Sequence, residues 1–354
     1  MTRPIRRLLS TAIVVTVAAG ALAACSSSSG GGSDTVTLVT HDSFAISKQV
    51  RTAFEASTGL KLRILKSGDA GAALNQVILT KDRPLGDAFF GVDNTLISRA
   101  LKADVFAPYT PKAAAEVPAD LVIDPTHHAT SIDYGDVCVN YDRSYFATGE
   151  ERAIPQTLDD LAKPENAKLL VVENPSTSST GLAFMLASIA KYGENGWRDW
   201  WSKLRAGGVK VVEGWEQAYN TEFSGSAGKG AYPLVVSYAT SPPAEVIYAD
   251  PKPAIAPTGN LDDTCFRQVE TVGVLRNAKH PKAARRLIDF MLAEQFQEDV
   301  PLEMFVYPVR PGTPVPAEFT QHAGKPTDPF SVPPAQIAAH RDQWLEQWNA
   351  TVLR

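Results

Sequence analysis

Hydroxyl, carboxylate and aromatic side chains gather in short stretches of this 354-residue chain, each beside a run that reads as a strand. The run Ser176-Thr177-Ser178-Ser179-Thr180 ends where an apolar helix pattern begins. Hydroxyls and free N–H groups at a helix start either cap the helix or hold an anion such as a phosphate ester. Asp42, Asp69 and Asp93 each follow or flank a strand pattern, where a carboxylate caps a helix, attracts a cation or accepts from an amino group. Trp215, Tyr219 and Tyr238 are placed to box a flat cationic ring by stacking and cation–π attraction, each contact worth about 0.5–2 kcal/mol. Aromatics near strand ends serve equally well as core.

Signals for other chemistry are thin. The histidines at 41, 127, 128, 280, 322 and 340 lack the spacing of a zinc site, and no GxSxG, Walker or HExxH pattern occurs. We therefore expect no metal, no cofactor and no enzymatic activity. The formal net charge is −5, which gives no electrostatic footprint for nucleic acid.

The elements that must carry these stretches follow from hydrophobic periodicity. Strand patterns run over Val36–Thr40, Leu60–Leu65, Asp87–Val92, Leu169–Val172, Val209–Val212 and Leu234–Tyr238. Between them lie a helix with Val50 and Phe54 on one face closed by Gly59, a helix over 70–80, and a helix from Gly181 to Lys191. Pro281 suits a first helical turn ahead of Leu287, Phe290 and Met291, and Ile337, Trp344, Leu345 and Trp348 make one face of a final helix. This alternation predicts an α/β fold with helices on the faces of a mainly parallel sheet. The length exceeds what one core usually serves, so two lobes are expected: 35–135 with 265–310, and 136–264. A helical segment, 311–354, completes the chain. Segments near 135–140 and 265–275 are the candidates to cross between lobes, and the polar loops at strand ends point to one ligand cleft.

Arg3, Arg6 and Arg7 precede an apolar run from Leu8 to Ala24, then Leu22-Ala23-Ala24-Cys25 gives way to Ser26 through Gly32. This is the grammar of a lipoprotein signal peptide over 1–24, with lipidation at Cys25 and a flexible tether over 25–34. The expected location is extracytoplasmic, attached to the cell membrane. Cys138 and Cys265 remain, an even pair in an oxidising compartment, which a disulfide would satisfy. Two isolated thiols or one reactive thiol are the alternatives.

Seven segments in order resemble one family over about residues 35 to 353. They are Thr40-His41-Asp42-Ser43-Phe44, Gly91-Val92-Asp93-Asn94, Asp133-Tyr134-Gly135, Glu173 through Leu182, Gly214 through Tyr219, Ser237 through Pro242, and Tyr307-Pro308-Val309. The family is the thiamine-binding solute-binding proteins of bacterial ABC importers. The resemblance implies a type II periplasmic-binding-protein fold, monomeric, with thiamine or thiamine phosphates held between two lobes and delivered to a membrane permease. It implies Tyr238 and Trp215 stacked on the rings and Tyr219 lining the pocket. Ser178, with Ser176, Thr177 and Ser179, would meet the phosphate end, and Asp42, Asp69 and Asp93 would meet the aminopyrimidine or the thiazolium charge. His41 stands where the family often has Tyr, and Phe305 where it has Trp; both rings still stack, less strongly.

Two other readings stay open. One is the same fold binding another small cation or ferric ion, although the adjacent Tyr-Tyr of iron-binding relatives is missing here. The other is a thiaminase-like enzyme with Cys138 as nucleophile, which pairing with Cys265 would eliminate.

Overall fold

Thr35–Thr40 is built mostly of β-branched residues, which suit a pleated, packed surface, and it forms strand β1, buried on both faces in its second half. The computed structural model describes residues 35–147 and 153–354. The leader 1–24, Cys25 and the tether 25–34 lie outside the described residues. The described residues make one compact unit.

The helix Lys48–Thr58 starts where the Ser47 hydroxyl accepts from Val50 N–H and stops at Gly59, whose φ of 68° a side chain would strain. Strand β2 (Lys61–Lys66), the helix Ala70–Leu79 and strand β3 (Ala88–Asp93) follow, with β1 parallel to both β2 and β3. After β4 (Phe106–Ala107) comes β5 (Thr130–Asp142), then β6 (Leu170–Glu173), β7 (Lys210–Val212), β8 (Leu234–Tyr238), β9 (Thr258–Leu275) and β10 (Tyr307–Pro308). All ten strands join one sheet in the order β2-β1-β3-β9-β5-β8-β6-β7, with β4 beside β9 and β10 beside β5.

The sheet is mixed, not mainly parallel. Its two ends are parallel, but β9 runs antiparallel to β3 and β5, and β8 antiparallel to β5. Partners more than ninety residues apart leave no local signature, so helix–strand alternation could not report them. β5 and β9 are the longest strands, 13 and 18 residues. Residues Thr271 and Glu270 of β9 pair with β3, while Val137–Tyr141 of β5 pair with β8, so the two strands belong to both halves of the sheet. Register shifts at Ser131/Asp133 and Val137/Val139 mark bulges, which bend and twist a strand. At the second bulge Cys138 and Cys265 form a buried disulfide, Cα to Cα 4.1 Å. The Cys138 sulfur is therefore not a nucleophile in this structure.

One core layer packs Leu38, Phe90 and Val272 under the helices Lys48–Thr58 and Pro281–Met291. The other runs the length of the opposite face, from Leu74 and Phe89 to Trp197, Trp201 and Trp348. Gly193, at φ 66°, breaks the helix Ser179–Gly207 into two. Its second part presents Trp201 edge-on to Trp348 of the last helix, Pro334–Val352, with ring centroids 5.3 Å apart. Among the described residues no helix is long and apolar enough to cross a membrane.

Candidate functional site

The loops leaving β1, β2, β6 and β7 and the end of β8 converge over the middle of the sheet, where ligands of open α/β sheets sit. They enclose a cavity of about 300 Å³ whose walls include His41, Trp215, Tyr219, Tyr238, Glu270 and Phe305. A narrow continuation reaches Asp69, Ser179 and Thr180. That volume is at the small end for small-molecule pockets.

Trp215 and Tyr219 are stacked, centroids 5.1 Å apart at 10°, and Tyr238 stands edge-on to Trp215 at 6.2 Å. Each polar tip is held: Trp215 Nε1 donates to Ser237 Oγ (2.8 Å), Tyr219 OH to Glu245 Oε1 (2.9 Å) and Tyr238 OH to Gln268 Oε1 (2.8 Å). Gln268 Nε2 in turn donates to Asp93 Oδ2 (2.6 Å). Asp93, fully buried, thus lies behind the wall and positions Tyr238 through Gln268. Phe305 contributes its ring from a backbone at φ 55°, a conformation uncommon outside glycine and found where surrounding structure enforces it.

His41 is buried with Nδ1 3.0 Å from Ser43 Oγ and Nε2 3.4 Å from Glu270 Oε1. Burial, with the charge of Lys66, lowers its pKa to about 4, so the ring is neutral. Its seat depends on Gly91: a Cβ there, at φ 112°, would come within 2.7 Å of His41 Cδ2.

The hydroxyl run is spent on structure. Ser178 caps the helix Ser179–Gly207, accepting from Gly181 N–H. Thr177 Oγ1 donates to Glu213 O (2.7 Å), its carbonyl accepts from Ala72 N–H, and Ser176 Oγ accepts from Asn349. The helix start is not vacant either, because the Asp69 carboxylate accepts from the N–H groups of Ala70 (2.6 Å), Ser179 (3.2 Å) and Trp215 (2.9 Å). Burial, against those bonds, raises Asp69 to about 6. Asp42 is half-buried beside this end and lines neither space; burial and then Glu216 raise its pKa.

So the fold brings His41, Trp215, Tyr219, Tyr238 and Phe305 to one wall and Asp69 with Ser179 to the narrow end, and leaves Asp42, Asp93, Ser176, Thr177 and Ser178 behind them. Sequence reasoning missed the charge of the walls. Glu216, Glu245, Glu270 and Glu303 all line the cavity, and among the described residues no Lys or Arg does. Glu270 carries the one available signal, an acid inside the apolar run Val269–Val274. Glu245 and Glu303 sit on helices whose packing no local pattern reports. Among the described residues, no three His, Cys, Asp or Glu side chains group as metal ligands.

Residues 84–341 match the model of a family described as bacterial extracellular solute-binding proteins. The thiamine-binding periplasmic protein of Salmonella typhimurium is 30% identical over 324 residues, covering 90% of this chain and 94% of the relative. That of Brucella suis is 29% identical over 335 residues, covering 91% and 93%. Among solved structures, a periplasmic thiamin-binding protein superposes with a TM-score of 0.77 at 28% identity, over 90% of this chain and 96% of its own. A ferric binding protein from Campylobacter jejuni reaches a TM-score of 0.72 at 17% identity over 89% of this chain and 99% of its own, a likeness of fold alone.

Proposed function

The chain belongs to the bacterial extracellular solute-binding proteins, and from that premise we propose that it captures thiamine outside the cytoplasm and hands it to an ABC permease. The observation that carries the reading is the cavity lining: among the described residues it holds aromatic rings, four glutamates, a neutral histidine and no Lys or Arg. Thiamine is a permanent cation on one flat ring joined to a second flat ring. Stacking and carboxylates favour such a ligand, and the absence of a basic side chain removes the partner an anion would need.

The narrow end supports thiamine itself over its phosphates. Asp69 already accepts from the Ser179 N–H at the start of the helix Ser179–Gly207, so a phosphate would meet a carboxylate where a bare helix terminus would have welcomed it. Titration calorimetry against thiamine, its monophosphate and its pyrophosphate tests this. Thiamine should bind most tightly, and Tyr238→Ala should weaken it by about 1–2 kcal/mol. A preference for pyrophosphate, or no heat from any of the three, would overturn the reading.

Two lobes, 35–135 with 265–310 and 136–264, would then close on the ligand about β5 and β9. A ligand shifts that equilibrium by its differential affinity for the closed form, so small-angle scattering should report a smaller radius of gyration with saturating thiamine. Lipidation of Cys25 would keep the protein at the membrane near its permease. Labelling of growing cells with a radioactive fatty acid should mark the wild type and not Cys25→Ala.

A further inference from the structure

Three carboxyl groups stand in a row across neighbouring strands beneath the cavity. Asp93 of β3 pairs in register with Glu270 of β9, and Glu270 with Asp133 of β5; residues directly opposite share one face of a sheet. Their exposures are 0%, 4% and 1%. Only Glu270 reaches the cavity wall.

The row is unevenly supplied with donors. Asp93 accepts from Thr95 N–H and hydroxyl, Leu96 N–H and the Gln268 amide. Asp133 has no N–H or O–H donor at either oxygen; the group beside it is the Glu270 carboxyl. Two ionised carboxylates facing each other in a dry site repel, and a proton held between them removes both the repulsion and the missing donor. Other groups facing Glu270 add no positive charge. Asp69 precedes the helix Ala70–Leu79, Tyr238 ends β8, and His41 after β1 is neutral. Burial accordingly raises Asp133 to about 7, and burial with the neighbouring acids holds Glu270 well above the usual carboxylate range.

We propose that the Glu270–Asp133 pair is the counter-ion of the cation bound in the cavity, and that binding drives one proton off the pair into solvent. The ligand brings in one positive charge as one proton leaves, so the net charge buried at the floor does not change on binding. This rests on the thiamine reading and assigns the residues that select for a positive ring. Glu270 makes the contact; Asp133 is a positioning residue that sets when Glu270 ionises.

The test is calorimetry of the protein with thiamine at about pH 6.5, in phosphate and in imidazole, two buffers that absorb a proton with different heats. Released protons make the observed heat depend on the buffer, and the difference should correspond to close to one proton. Affinity should rise about tenfold per pH unit below pH 7 and level off above it. Glu270→Gln should abolish the buffer dependence and weaken binding at least about tenfold above pH 7, the scale of a lost buried charge contact. Asp133→Asn should also abolish proton release yet keep or improve affinity at acid pH, because its amide donates to a Glu270 that is ionised beforehand. Binding with no buffer-dependent heat, or a Glu270→Gln protein that binds and releases a proton as the wild type does, would overturn this inference and leave the thiamine reading standing. Wild-type protein that gives no heat with thiamine in either buffer would overturn the thiamine reading, and this inference with it.

Discussion

At its narrow end the cleft holds Asp69, whose carboxylate accepts from the backbone N–H groups of Ala70, Ser179 and Trp215, whereas on the floor Asp133 finds no donor for either oxygen. Burial raises both, to about 6 and about 7. What differs is what ionisation does. Ionised Asp69 gains three donors, two of them from distant parts of the chain, so its charge ties the loop after β2 to the loops after β6 and β7. Ionised Asp133 gains only another acid. The donors around a buried carboxylate, more than its depth, decide whether its charge serves the fold or waits for a ligand.

The largest effect should come from breaking the first arrangement. Asp69→Ala leaves three N–H groups without their acceptor. Bonds to a charged acceptor contribute about 1.5–3 kcal/mol each before the expense of burying the charge is subtracted. We expect urea denaturation at neutral pH to show a loss of about 3 kcal/mol. A change below about 1 kcal/mol would mean that the three bonds only offset burial and that Asp69 is no more structural than Asp133.

The floor should answer with the opposite sign. Glu270→Gln supplies Asp133 with an amide donor that needs no proton taken up from solvent, so the unliganded protein should gain about 1–2 kcal/mol above pH 7. The pH dependence follows from linkage. The native pair keeps protons that the unfolded chain releases near its ordinary pKa of about 4, so the native state binds more protons between about 4 and 7. Wild-type stability should therefore fall as pH rises through that window. In Glu270→Gln the fall should shrink, leaving the share contributed by Asp69. A wild-type profile that rises between pH 4 and 7 would show the acids to be ionised throughout, and the contrast with Asp69 would collapse.

How legible this was in the sequence follows the same division. The outer strands were readable because β1, β2, β3, β6 and β8 carry their own periodicity, and because Gly59 and Pro281 mark helix ends by local rules. The aromatic wall was readable because Trp215, Tyr219 and Tyr238 sit at strand ends. The carboxyl row was not. Asp93, Glu270 and Asp133 become neighbours only through antiparallel pairing of β9 with β3 and β5, and no local pattern encodes contacts across more than a hundred residues. Nor does residue type reveal that Ser176, Thr177 and Ser178 are consumed by caps and turns, since a capping hydroxyl and a ligand-binding one have the same sequence.

A third tie, behind the wall residue Phe305, gives the smallest effect and bounds the other two. Tyr248 donates from its hydroxyl to Leu302 O at 3.1 Å and sets its ring edge-on to Phe305, centroids 6.2 Å apart. The residue is 65% exposed, so water competes for the same bond. The net value of a neutral hydrogen bond is about 0.5–1.5 kcal/mol, and exposure places this one at the lower end. Tyr248→Phe should then raise the thiamine dissociation constant about twofold, through faster release, as stopped-flow fluorescence of the wall tryptophan would record. Tyr248→Ala also removes the edge contact that backs the strained Phe305, adding a further 0.5–1 kcal/mol. If Tyr248→Phe instead accelerated release tenfold or more, an exposed contact would be restraining the ligand as strongly as a buried counter-ion. Retention would then belong to the Tyr248–Phe305 side of the wall, and the floor would govern only which ligands are admitted.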